Sequence, residues 1–187
     1  MHRRLVGMFL LSIFFFLPAC SVGTGSVTEA FNREGTSLAY IKTVAVLPFD
    51  GGGRAPRIRE FTMTQLLASG LFDVVDKGRV DNLLKQEAIK DNSPLDAATI
   101  RRLGQRLKVQ AFILGSVEET TESRGSATFP EITMTLRLID CETGTLLWQA
   151  SGRGSGYSLT DRLFGFAPKD SFQVTMQLLS DLFSTMH

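Results

Sequence analysis

The stretch ITMTLRLIDCETGTLLWQA, residues 132–150, decides the fold of this chain. Residues 132–138 alternate between apolar and polar side chains, and this period of two predicts a strand that is buried on one face. Glu142-Thr143-Gly144 is expected to form a tight turn in which the glycine takes a positive φ. Three alternating apolar residues then mark the face of a returning strand: Leu146, Trp148 and Ala150. Because strands joined by so short a turn are antiparallel neighbours, this stretch predicts a β-hairpin.

Strand and helix patterns alternate along the chain before this hairpin. The apolar runs in residues 44–47 and 109–117 are typical of strands buried on both faces, and residues 72–76 predict a short strand. Apolar residues at helical spacing predict helices over residues 58–69, 80–90 and 100–107. These patterns predict an α/β protein of the α+β type, with a mixed sheet of about five strands and helices packed on it.

The end of the sequence predicts one more helix. Asp170 or Ser171 can cap its start, and four residues are expected to form its buried face: Phe172, Met176, Leu179 and Phe183. Residues 152–169, between the hairpin and this helix, are rich in glycine and are expected to be irregular.

The first 19 residues have the layout of a secretory signal. Arg3 and Arg4 precede an apolar run over residues 5–17, within the roughly 7–15 residues expected of such a signal. A membrane-spanning helix needs about 20 apolar residues, so this run is too short to span the membrane. Leu17-Pro18-Ala19-Cys20 resembles the bacterial lipobox, in which the cysteine thiol is acylated, commonly with palmitate among the chains, and becomes the new N-terminus. The alternatives are ordinary secretion with cleavage nearby and an uncleaved anchor.

This interpretation divides the chain into three parts. Residues 1–19 are a cleaved lipoprotein signal peptide, residues 20–40 are the lipidated Cys20 and a flexible tether, and residues 41–187 are a single domain. Gly, Ser and Thr dominate the start of the tether, which favours a flexible segment. Ser21 follows the cysteine where an aspartate would favour retention in the inner membrane. We therefore expect an anchor in outer-membrane lipid and a domain that faces the periplasm.

Composition excludes several classes of function. Without residues 1–19 the chain has 18 basic and 19 acidic residues in 168, so it has no general electrostatic attraction to nucleic acid. Its histidines are His2, in the signal, and His187, the last residue, so the domain offers no histidine for a catalytic triad or a typical zinc site. Cys141 has no second cysteine to pair with once Cys20 is lipidated, and is expected to be a small buried residue. We expect a protein that is not an enzyme, with no catalytic residues, no metal and no cofactor.

Two charged clusters have alternative interpretations. Glu118, Glu119 and Glu122 could hold a metal, and Arg101, Arg102 and Arg106 could bind an anion. For both clusters a solvated surface is the preferred interpretation.

Four stretches together resemble a known family. They are VAVLPF (44–49), FDVVDKGRVDNLLKQE (72–87), LGQRLKVQAFILGSV (103–117) and LRLIDCETGTLLWQ (136–149). They resemble the CsgG family of curli-secretion channel lipoproteins and its relatives, which include the LpoB-type activators of penicillin-binding proteins and the N-terminal domain of TolB. The resemblance implies a small mixed sheet with helices packed against it.

The resemblance also implies function through protein contacts. The first expectation is a CsgG-like component of envelope assembly or secretion, with envelope proteins as partners. An LpoB-like activator of a penicillin-binding protein and a ligand-binding or sensory module are the alternatives. Phe164 and Phe166, in the glycine-rich segment, are the candidate partner contacts, although they could instead fold onto the core. A homo-oligomer is possible.

If the lipid on Cys20 is the sole membrane attachment, Cys20→Ala should release a folded domain into the periplasm. The measurement is fractionation of the envelope followed by detection of the protein in the soluble and membrane fractions. Persistent membrane association of the variant would contradict this expectation, because it would require a second attachment.

Overall fold

The predicted hairpin lies at the centre of the structure. The computed structural model describes residues 26–90, 94–124, 127–157 and 167–186. Their strands are β1 Ser26–Asn32, β2 Thr43–Val46, β3 Asp50–Gly51, β4 Asp73–Val74, β5 Ala111–Arg124, β6 Ala127–Asp140 and β7 Leu146–Ser155. Their α-helices are α1 Ala55–Ser69, α2 Lys77–Gln86, α3 Ala97–Leu107 and α4 Ser171–Phe183, and a 3₁₀ helix covers Leu38–Tyr40. The α+β class is confirmed, with seven strands where about five were predicted.

The strands form one mixed sheet in the order β1-β7-β6-β5-β2-β4, and β3 continues alongside β5 beyond β2. β1, β7, β6 and β5 are antiparallel neighbours, whereas β2, β3 and β4 run parallel to the strands that they pair with. The parallel half is the part whose strands are connected through helices, as parallel pairing requires. The antiparallel half contains the hairpin, whose strands are longer than the predicted stretch.

One face of the sheet carries the larger core. The apolar residues that alternate along β6 point to this face and are almost completely buried: Ile132, Met134, Leu136 and Leu138. Helices α1 and α4 cover them, and the polar residues between them are only partly buried, as the period of two predicts. Trp148 of β7 stacks on Phe183 and donates its indole N–H to Thr185 Oγ1 at 3.1 Å. The hairpin therefore supplies much of the surface on which α4 packs.

Helices α2 and α3 cover only part of the opposite face. Their apolar residues pack with Ala45 of β2, Leu47 directly after it and Phe112 of β5. Both helices begin three residues earlier than the apolar spacing indicates, because the side chains of Asp76 and Asp96 cap them by accepting hydrogen bonds from backbone N–H groups one turn on. Cys141 belongs to this cluster and is 5% exposed, which confirms its prediction as a small buried residue. Burial raises the pKa of its thiol to about 12.

A buried arginine connects both layers to the sheet. Arg59 of α1 donates from Nε and Nη2 to the carbonyl oxygen of Val46, at 3.0 and 2.7 Å. Its Nη1 pairs with Asp81 Oδ1 of α2 at 2.6 Å. Because all three donor nitrogens have acceptors, the guanidinium is compatible with 3% exposure.

Two predicted boundaries are wrong near the ends of the sheet. Ser26–Asn32 was predicted as tether, but it forms β1, which pairs along its whole length with β7. Residues 152–155 were predicted as irregular, but they continue β7. Gly152 is needed there because a Cβ would lie 2.8 Å from Thr28 and 2.9 Å from Leu178. The glycines of this segment thus permit close packing instead of breaking the strand.

Strand β5 and the helices α2 and α4 also differ from the prediction. β5 continues through the polar residues 118–124, because each of them has a paired position on β6. Helix α2 ends at Gln86, since Ala88 takes a left-handed φ of 54° and turns Ile89 toward the second core cluster. Phe172 of α4 is 53% exposed and meets Phe61 edge-on, with ring centroids 5.1 Å apart. Leu179 and Phe183 are buried as predicted, and Val174, Leu178 and Leu182 extend the buried face of α4.

Among the residues that the structure describes, no helix combines the length and the apolar character needed to cross a bilayer.

The hairpin turn is fixed by the carboxylate of Asp140. Its Oδ1 accepts bonds from Thr143 N and Oγ1, each at 2.7 Å, and from Glu142 N at 3.0 Å. Its Oδ2 accepts from the Tyr40 hydroxyl at 2.8 Å. Burial alone would raise the pKa of this carboxyl, but these hydrogen bonds hold it below its usual range. Gly144 completes the turn with a φ of 70°, as predicted.

Asp140→Ala should lower the free energy of unfolding by about 2–3 kcal/mol near neutral pH, since hydrogen bonds to a charged group contribute about 1.5–3 kcal/mol. Tyr40→Phe, the matched control, removes only one of these bonds and should cost about 1 kcal/mol. The folded-state pKa of Asp140 is lowered, so its contribution is present above the unfolded pKa of about 3.9 and is lost as the pH falls through the folded value. Denaturant titrations across the acid range should therefore show that the difference in free energy of unfolding between wild type and Asp140→Ala becomes smaller as the pH falls. A difference that stays constant with pH would contradict this account.

Candidate partner-binding face

The sheet leaves half of one face without a helix among the described residues. Cross-strand registers place Phe31, Gln149, Arg137 and Leu114 in one row across β1, β7, β6 and β5. The core cluster under α2 and α3 ends, on the side toward β1, at the partly buried Leu114 and Ile139. We call the remainder the open face. It consists of nine residues of β1, β6 and β7: Val27, Glu29, Phe31, Thr133, Thr135, Arg137, Gln149, Ser151 and Arg153.

The open face is polar at its centre and apolar at its edge. Thr135 and Ser151 share a hydrogen bond of 2.8 Å between their hydroxyls, directly across the β6–β7 pair. Val27 and Phe31, on the edge strand β1, are 74% and 49% exposed. Small hydroxyl side chains keep the centre flat, so a second polypeptide can approach the sheet closely. Exposed aromatic and aliphatic residues at the rim are a frequent feature of protein contact surfaces.

A cleft of about 350 Å³ lies where the open face meets the chain that connects α2 to α3. Its polar lining consists of Asp50, Lys90 and Arg137. Its apolar walls come from both layers: Leu47, Leu84, Ile89, Leu95, Leu114 and Ile139. A mostly apolar concavity with a few polar groups is the usual composition of a binding pocket. This cleft therefore is the main candidate for recognition on this side of the sheet.

Arg137 is the unusual member of the cleft. Its Nε is buried, yet it has no hydrogen-bond partner among the described residues, and no ion pair of its guanidinium is found there. Arg59, which is fully buried, has an acceptor for each of its three nitrogens. A buried donor without an acceptor costs about 1–3 kcal/mol. The cleft thus holds a partly buried arginine whose Nε an incoming acceptor would satisfy.

The structure places the residues that the sequence singled out in several different regions. Cys20, Phe164 and Phe166 lie outside the described residues, so lipidation and aromatic docking stay predictions. Arg102 and Arg106 pair with Glu87 and connect α3 to α2, which leaves little of this cluster for an outside anion. Hydrogen bonds from Arg106 hold the pKa of Glu87 below its usual range.

The acidic cluster on β5 is not assembled as a metal site. Glu119 accepts hydrogen bonds from Arg54 and from the hydroxyl of Ser171, and so connects the glycine-rich turn after β3 to α4. No group of three or more metal-ligating side chains is found within the described ranges 26–90, 94–124, 127–157 and 167–186. Arg137 is not singled out by any sequence motif. The only signal for it was a charged residue at a polar position of an otherwise uncharged alternation.

Comparisons with solved structures identify the fold. The PelC L103M dodecamer from Paraburkholderia phytofirmans has 18% identity and a TM-score of 0.58, with 84% of this chain and 96% of that chain covered. Lipoprotein GNA1162 from Neisseria meningitidis has 16% identity and a TM-score of 0.54, with 78% and 97% covered. At these identities the likeness shows a shared fold alone. No match to the chain is found among curated proteins.

The family comparison is more specific. The family described as peptidoglycan-synthase activator LpoB matches residues 58–153, from the first turn of α1 to the end region of β7. This segment contains α2, α3, the central hairpin and Arg137. These findings support the activator alternative of the sequence analysis and give no support to the curli-channel resemblance. Because the match covers slightly more than half of the 187 residues, the chain belongs to the LpoB family of peptidoglycan-synthase activators.

Proposed function

We propose that this protein is a non-catalytic activator of a peptidoglycan synthase, held by the lipid on Cys20 to the periplasmic face of the outer membrane. The family match over residues 58–153 is the observation that carries this proposal. Direct contact with the synthase, a penicillin-binding protein, changes the rate of that enzyme, while the chain itself supplies no catalytic group.

The domain division proposed from the sequence changes in one respect. Since β1 begins at Ser26, only residues 21–25 separate the anchor from the sheet. Even fully extended, five residues reach about 17 Å. The synthase therefore has to present its contact segment close to the membrane that holds Cys20.

The open face and its cleft are the surface that we assign to this contact. Most of their residues, Arg137 included, lie within the matched segment 58–153. The buried Arg137 Nε, which has no acceptor among the described residues, and the flat hydroxyl-rich centre favour a polypeptide partner over a large cofactor. Phe164 and Phe166 stay a proposed second contact. A homo-oligomer is a further proposal, which the exposed Val27 and Phe31 on edge strand β1 favour.

Reconstitution with a purified bifunctional penicillin-binding protein from the same cell tests the proposal. Adding the detergent-solubilised full-length lipoprotein should raise the rate of lipid II polymerisation by roughly fivefold or more, the lower end of usual coupling between proteins. Polymerisation is followed by the loss of fluorescence of a labelled lipid II.

Two controls accompany this assay. The lipoprotein alone must leave lipid II unchanged, because the proposal gives it no catalytic role. The synthase with an equal amount of detergent gives the basal rate. An unchanged rate over a saturating range of lipoprotein, for every synthase of that cell, would reject the function.

A further inference from the structure

We infer that the cleft around Arg137 receives an acidic side chain of the synthase, together with a large apolar side chain next to it in the same segment. This inference rests on the proposed function and names the chemistry of the contact. It follows from the charge, the walls and the surroundings of the cleft.

The charge of the cleft calls for an anion. Among the described residues that line the cleft, Arg137 and Lys90 are basic and Asp50 is the one acidic group, so this lining has a positive excess. The Nε of Arg137 is buried and has no acceptor among the described residues. A carboxylate matches the planar fork of a guanidinium and can accept two parallel hydrogen bonds from it. An acidic side chain would therefore satisfy donors that the free domain leaves unpaired.

The walls of the cleft call for an apolar group beside that anion. Leu84 and Ile89 on the helical side and Leu114 and Ile139 on the sheet form most of the surface. At about 350 Å³ the cleft is near the lower end of the range for binding pockets, roughly 300–1,000 Å³. That size fits one or two side chains. Apolar walls also lower the local dielectric constant, which strengthens the attraction between Arg137 and a carboxylate.

The surroundings favour a segment of a protein over a free small molecule. The cleft is continuous with the open face through Arg137, which belongs to both. A chain that inserts side chains at Arg137 can continue over Thr135 and Ser151 without meeting a bulky residue. Exposed Phe31 lies in the same row as Arg137 and can contact the flank of such a segment.

Substitutions at two paired positions test the inference. Arg137→Met removes the charge and keeps an unbranched apolar stem. Leu114 is the register partner of Arg137 on β5, so Leu114→Glu places a carboxylate beside the guanidinium, as cross-strand neighbours touch. Leu114→Gln is its matched neutral control. Arg79→Met, at an exposed position of α2 outside the cleft, controls for the loss of one positive charge.

Affinity for the purified synthase is measured by biolayer interferometry, with full-length lipoprotein in detergent. Arg137→Met and Leu114→Glu should each raise Kd by about 30-fold or more, as expected for one side of a buried charge pair. Leu114→Gln alters the cleft wall without adding a charge, so it should raise Kd clearly less than Leu114→Glu does. Arg79→Met should stay within about threefold of wild type, since surface changes have small effects. Arg137→Met should keep the wild-type melting temperature, because its guanidinium has no partner to lose.

The outcomes separate the two proposals. If the wild type does not bind any synthase, the proposed function fails and this inference fails with it. If the wild type binds while Arg137→Met and Leu114→Glu bind equally well, the cleft is not the contact and only this inference is overturned. If Arg137→Met lowers the melting temperature, the Leu114→Glu and Leu114→Gln pair decides. Equal Kd values for that pair reject a carboxylate-binding role.

Discussion

The pairing register of β5 and β6 is the constraint on which the rest of the structure depends. The two strands pair from Ala111 opposite Asp140 to Arg124 opposite Ala127 without interruption. A slip of one residue would turn Ile132, Met134, Leu136 and Leu138 away from α1 and α4 and would expose them. The same slip would move Arg137 from the cleft into the apolar core. One register therefore determines both the core and the recognition face.

Asp140 makes that register stable at the end where the chain turns back. A turn held by four hydrogen bonds to one carboxylate fixes where β6 ends and β7 begins. β7 in turn supplies Trp148 to the core and the ladder on which β1 pairs. The Tyr40 hydroxyl connects this turn to the segment between β1 and β2. The hydrogen bonds of Asp140 in the turn thus help to position β7 and, through it, the edge strand β1.

The sequence predicts the parts of the fold in which local pattern and tertiary packing agree. The hairpin, the left-handed Gly144 and the capping Asp170 are such cases. It fails where a strand is stabilised by its neighbours alone. Ser26–Asn32 has no fully buried residue, and its Val27 and Phe31 are exposed, because an edge strand with one exposed face buries little. Residues 118–124 are polar for a related reason, since in this part of β5 most side chains lie near the surface.

The candidate site is less predictable than the fold, for a physical reason. Arg137 occupies a polar position of an amphipathic strand, where an arginine normally extends into solvent. It is unusual only because Ile89 and Leu95, far away in sequence, form walls over it. That arrangement depends on the left-handed Ala88 that ends α2 early, a feature with no glycine to signal it. Sequence patterns report the face on which a side chain lies, but not what is packed above it.

The position of β1 gives the fold a consequence for function. An edge strand that begins at Ser26 shortens the proposed lipid tether to a few residues, so the domain cannot be carried far from the membrane by its anchor. The same strand contributes Val27, Glu29 and Phe31 to the open face. The open face is therefore connected to the proposed anchor through a single strand. If Cys20 is lipidated as proposed, a partner that binds this face has to reach it beside the membrane, and the geometry of attachment becomes part of specificity.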